Sequence, residues 1–188
     1  MAEPLREPLL LGWFRWPAEG LAAALDLPAL HAAGASALYR AVEGDDARLY
    51  APAGADEAAL RLLLPAATVW QPLQPLWQRE GEAAGQPAPW HYVVATDVLA
   101  EHEADFNAWY ETEHAPGLAA VPGTVRASRW LAPGASPRYH ACYDLARREA
   151  FGSPPWLAVR ATDWSSQVRP HFRNTHRTMY RQVALTGG

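Results

Sequence analysis

The sequence predicts an α+β protein made of two tandem βαββαβ units, and three observations predict it. A polar stretch rich in Gly and Pro, Glu80 to Pro89, divides the 188-residue chain near its middle. On each side of it, apolar runs with strand periodicity alternate with runs of helical spacing in the same order. In the second half the strands carry few polar positions, so the sheet face left bare by its helices needs a second sheet to cover it. Two copies of the split-βαβ topology satisfy all three, each placing two helices on one face of a four-stranded antiparallel sheet. The units are expected over residues 8–79 and 91–185, with 80–90 as the linker.

The first unit reads as strand Leu9 to Trp16, helix Leu21 to Ala33 and strand Ala37 to Val42. Gly44-Asp45-Asp46 then makes a turn, followed by strand Ala47 to Ala51, helix Asp56 to Leu64 and strand Thr68 to Trp77. Pro28 works against its helix, and Pro72 and Pro75 against their strand. The second unit opens with the buried strand Tyr92 to Thr96. Helix Glu101 to His114 follows, with Phe106, Trp109, Tyr110 and His114 on one side, stopped by Pro116 and Pro122-Gly123. Strands Thr124 to Leu131 and Arg138 to Asp144 form a hairpin about Pro133-Gly134-Ala135-Ser136-Pro137. A Pro-broken helical stretch from Ala146 to Asp163, a segment interrupted by Pro170, and a last strand around Arg177 to Ala184 complete the pattern.

Composition removes several function classes. Apolar residues make up 49% and charged residues 19%, so the chain can offset its ordering entropy by burial and should fold. The net charge of −4 gives no global basic field for a polyanion, which sets nucleic acid aside as a partner. All 16 basic residues are Arg and there is no Ile, a bias of GC-rich coding rather than a sign of phosphate binding. The single cysteine, Cys142, excludes an internal disulfide and any multi-Cys metal site. With no basic n-region before the short apolar run near the start, and no long uninterrupted apolar stretch, neither a signal peptide nor a membrane span is expected, and the cytoplasm is the expected location.

The most distinctive run is Asp105-Phe106-Asn107-Ala108-Trp109-Tyr110-Glu111-Thr112-Glu113-His114-Ala115-Pro116, closed by Val121-Pro122-Gly123. It resembles the first-helix motif of the EthD-like and related dimeric α/β-barrel proteins, where a Trp-Tyr pair, an acid, a Glu-His pair, a Pro and a Val-Pro-Gly turn recur. The stretch from Trp164 to Arg173, running on to Arg177 and Tyr180-Arg181, is similar to the C-terminal segment of the same group. The resemblance implies two ferredoxin-like units with facing sheets, here an internal pseudo-dimeric α/β barrel because one chain carries both. It also implies a small-molecule cavity between each sheet and its own elements. Members include muconolactone isomerases, cofactor-free monooxygenases, polyketide cyclases and haem-degrading enzymes, so the fold does not fix the reaction. No Glu-His-x-Pro motif follows the first helix of the first unit, where His31 lacks the neighbours, so the cavity is expected in the second. No second chain is needed, leaving a monomer or a homodimer through outer surfaces.

His114 is the candidate general acid or base, because imidazole titrates near neutrality and Glu113 or a strand Arg could set its state. Its alternative role is a helix-end histidine bonded to carbonyls. Tyr110, one turn earlier, could donate to a substrate oxygen or simply pack. Phe106, Trp109, Arg126, Arg129, His140 and Tyr180 complete the candidate substrate-binding set. On the third strand, Arg138, His140, Cys142 and Asp144 alternate opposite Tyr139 and Tyr143, a stripe that could line the cavity or pair across an edge. Arg169, Arg173, Arg177 and Arg181 recur at four-residue steps, either an anion site or a solvated rim.

Other chemistries find no support in the sequence. Asp105 and Glu113 are eight residues apart, too far for a carboxylate dyad. The histidine spacings do not place two imidazoles on one helical face, so no metal is expected. Nucleotide loops and the Gly-x-Ser-x-Gly elbow are missing. The reading is a small-molecule-pocket protein without a cofactor, a possible oxygenase, isomerase or cyclase for an aromatic or lactone-like substrate. Its rival is a non-catalytic ligand-binding or accessory protein.

Overall fold

The computed structural model describes residues 7–16 and 25–186. Its close contacts group the chain into two units. One holds residues 7–74 and the C-terminal stretch from Thr178; the other runs from Pro75 to Arg177. Both boundaries fall inside long strands.

The first unit contains β1 (Leu9–Arg15), α1 (Leu27–Ala32), β2 (Ala37–Ala41), β3 (Asp46–Pro52), α2 (Glu57–Leu63) and the start of β4 (Val69–Glu80). Its strands hydrogen-bond in the order β4-β1-β3-β2, the ferredoxin-like arrangement, and the end of the last strand of the chain adds beside β2. Leu9 pairs with Pro52 on one side and Leu73 on the other, and the register runs unbroken to Trp13. The expected helix from Leu21 begins later: Asp26 is its N-cap, its side chain accepting from the Ala29 N–H at 2.9 Å, and residues 21–24 lie outside the described residues. Pro28 is tolerated because it occupies the first turn, where an N–H has no intrahelical partner. Asp56 caps α2 in the same way through Ala59 at 3.0 Å. Within its unit β4 is an edge strand, the position where Pro72 can lack a ladder donor. Phe14, Leu30, Leu38, Leu49, Leu60 and Leu64 fill the core of this unit.

The second unit contains β5 (Trp90–Val98), α3 (Glu103–Trp109), α4 (Ala115–Ala119), β6 (Thr124–Leu131), β7 (Tyr139–Leu145), α5 (Pro154–Arg160), α6 (Asp163–Val168) and the start of β8 (Phe172–Val183). Its order is β8-β5-β7-β6 with the end of β4 beside β6, again ferredoxin-like. The full hydrogen-bonded order is β1-β3-β2-β8-β5-β7-β6-β4, returning to β1 through the β1–β4 ladder.

Two expectations need correction here. Pro116 does not stop the helix. A π-turn over Tyr110–His114 ends the α3 ladder and lets a new segment start, so that Pro116 falls in the first turn of α4. The last strand starts at Phe172 rather than near Arg177, because Pro170 sits in a 3-10 turn just before it.

Residues that read as a linker are tied down. The N–H groups of Gly81, Glu82 and Ala83 donate to the carbonyls of Val125, Ala119 and Thr124 at 2.8, 3.0 and 2.9 Å. Glu82 accepts from the Gly123 N–H at 3.1 Å, at the Val-Pro-Gly turn where Gly123 takes a φ of 94°.

Candidate functional site

The π-turn decides how the motif helix presents its side chains. With a wider turn than the α-helix, it brings His114 back over Trp109: the imidazole stacks on the indole with centroids 4.2 Å apart and 20° between planes. Tyr110 stands edge-on to both, at 4.6 Å from Trp109 and 5.4 Å from His114. All three are buried. The Trp109 indole is pinned by donating to the Ser165 hydroxyl of α6 at 3.3 Å.

This cluster forms one wall of a part-open pocket. Tyr92 and Val94 of β5 and Tyr143 of β7 form the floor, and Leu118, Trp156 and Phe172 close the sides. Tyr92 and Val94 are two residues apart, so both face the helices, and the β5–β7 register sets Tyr92 opposite Tyr143. Arg160, Arg169 and Arg177 border the opening. Every lining residue belongs to the second unit.

Three polar groups of the pocket are buried without a hydrogen-bond partner: His114 Nδ1, the Tyr143 hydroxyl and Trp156 Nε1. Orphaned groups of this kind are costly to bury and need an explanation. Burial, then the positive fields of Arg160, Arg169 and Arg129, push His114 down to about 3, so its ring is neutral at physiological pH. Burial pushes Tyr110 up to about 12 and Tyr143 well above its ordinary value, so both hydroxyls keep their protons.

The other sequence candidates separate. Phe106 is fully buried behind the pocket, packed on Tyr110, Tyr139 and Phe172 with centroids 5.0–5.3 Å away. Arg129 does not line the pocket. Its guanidinium donates to Asn107 at 2.7 Å and Glu111 at 3.3 Å and lies 4.4 Å from the Tyr110 ring centroid, which fixes the helix to β6. Arg126 is half-exposed and paired with Glu80 at 2.8 Å. Tyr180 belongs to the first unit, accepting from Arg48 at 2.8 Å and donating to Asp46 at 2.6 Å. His140 and Cys142 are buried on the strand face opposite Tyr143, so the pocket is lined by the tyrosine face of β7 and not by the polar stripe. Arg138 instead pairs with Glu103, which also accepts from Tyr139. Sequence reasoning passed over Tyr92, Trp156 and Arg160. The two-residue alternation along Tyr92-Val93-Val94 could have found the first; nothing local marks the others.

The stripe carries its own ionisation. His91 on β5 shares a 2.7 Å contact with Asp144. Burial opposes a charge there, but the bond to Asp144 and the Cys142 sulfur outweigh it and push His91 up to about 9. Its stabilising contribution is complete below about pH 6.5, the unfolded value, and is lost as the pH rises through 9. His114 has the opposite sign: the folded chain refuses a proton that the unfolded chain accepts, so stability falls as the pH drops from 6.5 toward 3. Urea unfolding across this range should give a maximum near neutrality. His91→Asn is expected to flatten the alkaline limb by about 2–3 kcal/mol and His114→Gln to flatten the acid limb. Limbs unchanged by these substitutions would contradict the assignments.

Among the described residues no group of three or more His, Cys, Asp or Glu converges to hold a metal ion, and no helix is long and apolar enough to cross a membrane.

Neither a family profile nor a curated protein matches the sequence. Solved structures do match the fold. A provisionally named monooxygenase of Fusobacterium nucleatum subsp. nucleatum aligns with a TM-score of 0.66 at 10% identity, over 95% of this chain and 93% of its own. An uncharacterized ferredoxin-fold protein of Listeria monocytogenes, related to antibiotic biosynthesis monooxygenases, aligns with a TM-score of 0.57 at 12% identity, over 95% and 96%. An anthrone oxidase-like protein aligns with a TM-score of 0.59 at 13% identity, over 96% and 95%. The chain therefore shares the fold of these structures, with two ferredoxin-like units in one polypeptide. At such identities the likeness carries the fold and no activity.

Proposed function

We propose that the second unit is the working half of an EthD-like, cofactor-independent enzyme that removes a proton from a flat aromatic or lactone-like carbon acid. That step is common to oxygenase, isomerase and cyclase chemistry, since each proceeds through a stabilised enolate or phenolate. The observation that carries the reading is the buried, unpartnered Nδ1 of His114 in an aromatic-walled pocket beside two protonated tyrosines. A neutral imidazole can take the proton. Tyr110 and Tyr143 can donate to the oxygen on which negative charge develops. With dioxygen as co-substrate, a methylene between two aryl groups, as in an anthrone, becomes a carbonyl and the second oxygen atom leaves as water. The likeness to an anthrone oxidase-like protein supports this choice of test compound.

One observation favours the rival reading of a non-catalytic binding protein. An imidazole held down to about 3 is a weak base in the empty pocket and serves well as a plain hydrogen-bonding group. Solvent exchange separates the two. In anaerobic D₂O the wild type should speed the loss of the anthrone methylene proton signal, and His114→Gln should slow it by about 10²–10⁴-fold while still binding the compound. Equal exchange rates for wild type and variant would remove His114 from catalysis. Binding with no acceleration in either would establish the binding-protein reading. Because all lining side chains come from one unit, affinity should not change with protein concentration.

A further inference from the structure

Arg15, Arg61, Arg126, Arg129 and Arg138 each meet a carboxylate. Among the described residues, Arg160, Arg169 and Arg177 meet none, and the pocket they border has no Asp or Glu in its lining. Arg177 is exposed, whereas Arg160 and Arg169 are half-buried. Arg169 is held in place by backbone, donating to the Ser165 carbonyl at 3.0 Å and the Arg160 carbonyl at 2.9 Å. Those bonds use two of its five N–H groups. The crowding is felt: burial, then the charges of Arg160 and Arg177, hold the Arg169 guanidinium below its ordinary value. Solvation does not explain half-buried cations gathered, with the exposed Arg177, at an aromatic pocket that shows no counter-ion among the described residues.

Exposure falls from these guanidiniums to Trp109, Tyr143 and Trp156, which are 1%, 1% and 0% exposed. The charged end of the pocket is therefore its mouth, and the orphaned Tyr143 hydroxyl and His114 Nδ1 lie toward its inner end. We propose that the pocket takes its ligand as an anion: a flat unsaturated ring among the aromatic walls, a carboxylate at Arg160 and Arg177, and an oxygen substituent reaching Tyr143 and His114. This rests on the reading of the pocket as the functional site and names its substrate class, an oxygenated aromatic carboxylate. A guanidinium fork matches a carboxylate better than any neutral group of the same size, and the aromatic walls supply the contact area. An anion seated there also offsets the arginine field that, after burial, helps keep the His114 ring from accepting a proton.

The test uses two probes of one shape, 6-hydroxy-2-naphthoate and 6-hydroxy-2-naphthamide, titrated calorimetrically into wild type, Arg160→Gln, Arg177→Gln, the double variant and the exposed control Arg148→Gln. The carboxylate should bind wild type and control at least about tenfold tighter than the amide, with an advantage that shrinks in salt. The double variant should bring the two probes to within about twofold, the carboxylate losing far more affinity than the amide. If the amide binds wild type as well as the carboxylate, the anion inference is overturned and the pocket reading stands. A preference that survives in the double variant overturns the assignment to Arg160 and Arg177. If neither probe binds, the inference and the pocket reading fall together.

Discussion

Replacing Trp156 with alanine should lower the melting temperature by roughly 10 °C and abolish ligand binding together. Trp156 is fully buried, with ring centroids 5.3 Å from Tyr143, 5.4 Å from Phe151 and 5.9 Å from Tyr92. Truncating such a residue costs about 3–5 kcal/mol, the transfer free energy plus the cavity left behind. For a chain of this length each kcal/mol shifts the midpoint by about 2–4 °C. Trp156→Phe should recover most of the stability, since the indole N–H it gives up has no partner. Thermal unfolding followed by calorimetry measures both. A loss of under about 1 kcal/mol in Trp156→Ala would mean that α5 does not pack as described.

Gly81→Ala should be comparably damaging, for a different reason. A Cβ at this position would stand 2.1 Å from the Thr124 carbonyl oxygen and 3.0 Å from that of Ala119. Both atoms are backbone and both accept from this segment, so relief requires moving the end of α4 or the start of β6. About 3 kcal/mol or more is the expected cost. Leu118, a wall of the pocket, lies next to Ala119, so the surviving folded protein should also bind ligand more weakly. Gly54→Ala is the control, since nothing lies within 4 Å of its added Cβ. Denaturant midpoints for the two variants test the claim; equal midpoints would contradict it.

The strands were legible in the sequence where burial is two-sided or alternates cleanly. Thr124 to Leu131 is β6 as read, and Ala37 to Val42 is β2 to within one residue. What local patterning could not show is where long strands end. Half of β4 pairs with β1 and half lies beside β6, and β8 divides likewise between β2 and β5. Such strands take their length from two partners, so β8 reaches back to Phe172 despite its mostly polar sequence. Pro116 misled for a related reason. Proline's effect depends on its place in a turn, and the π-turn before it cannot be read from Tyr110-Glu111-Thr112-Glu113-His114 by periodicity.

The candidate site was half visible. Helical spacing brings Phe106, Trp109, Tyr110 and His114 to one side, and Trp109, Tyr110 and His114 line the pocket. Strand alternation identified the two faces of β7 but not which of them meets the helices, so attention fell on His140 and Cys142. That choice turns on what the opposite face packs against, a tertiary fact. The arginines show the same limit. The four-residue spacing of Arg169, Arg173, Arg177 and Arg181 grouped them as one anion site or solvated rim, whereas the structure puts Arg169 and Arg177 at the pocket with Arg160 from α5 and turns Arg173 to the carbonyls of Pro170 and Phe172. The spacing belongs to a 3-10 turn running into a strand, where four residues do not mark one face of a helix.

The central claim is that a small molecule binds beside His114 and uses its unpartnered ring nitrogen. Nitrogen-15 spectra of the protein labelled at its seven histidines test it most directly. The exposed His31 and His176 serve as internal references. On titration with hydroxylated aromatic compounds, the account predicts a saturable shift of the His114 ring nitrogens, assigned through His114→Gln, with His31 and His176 unmoved. Saturable binding that leaves the His114 signals in place would contradict it.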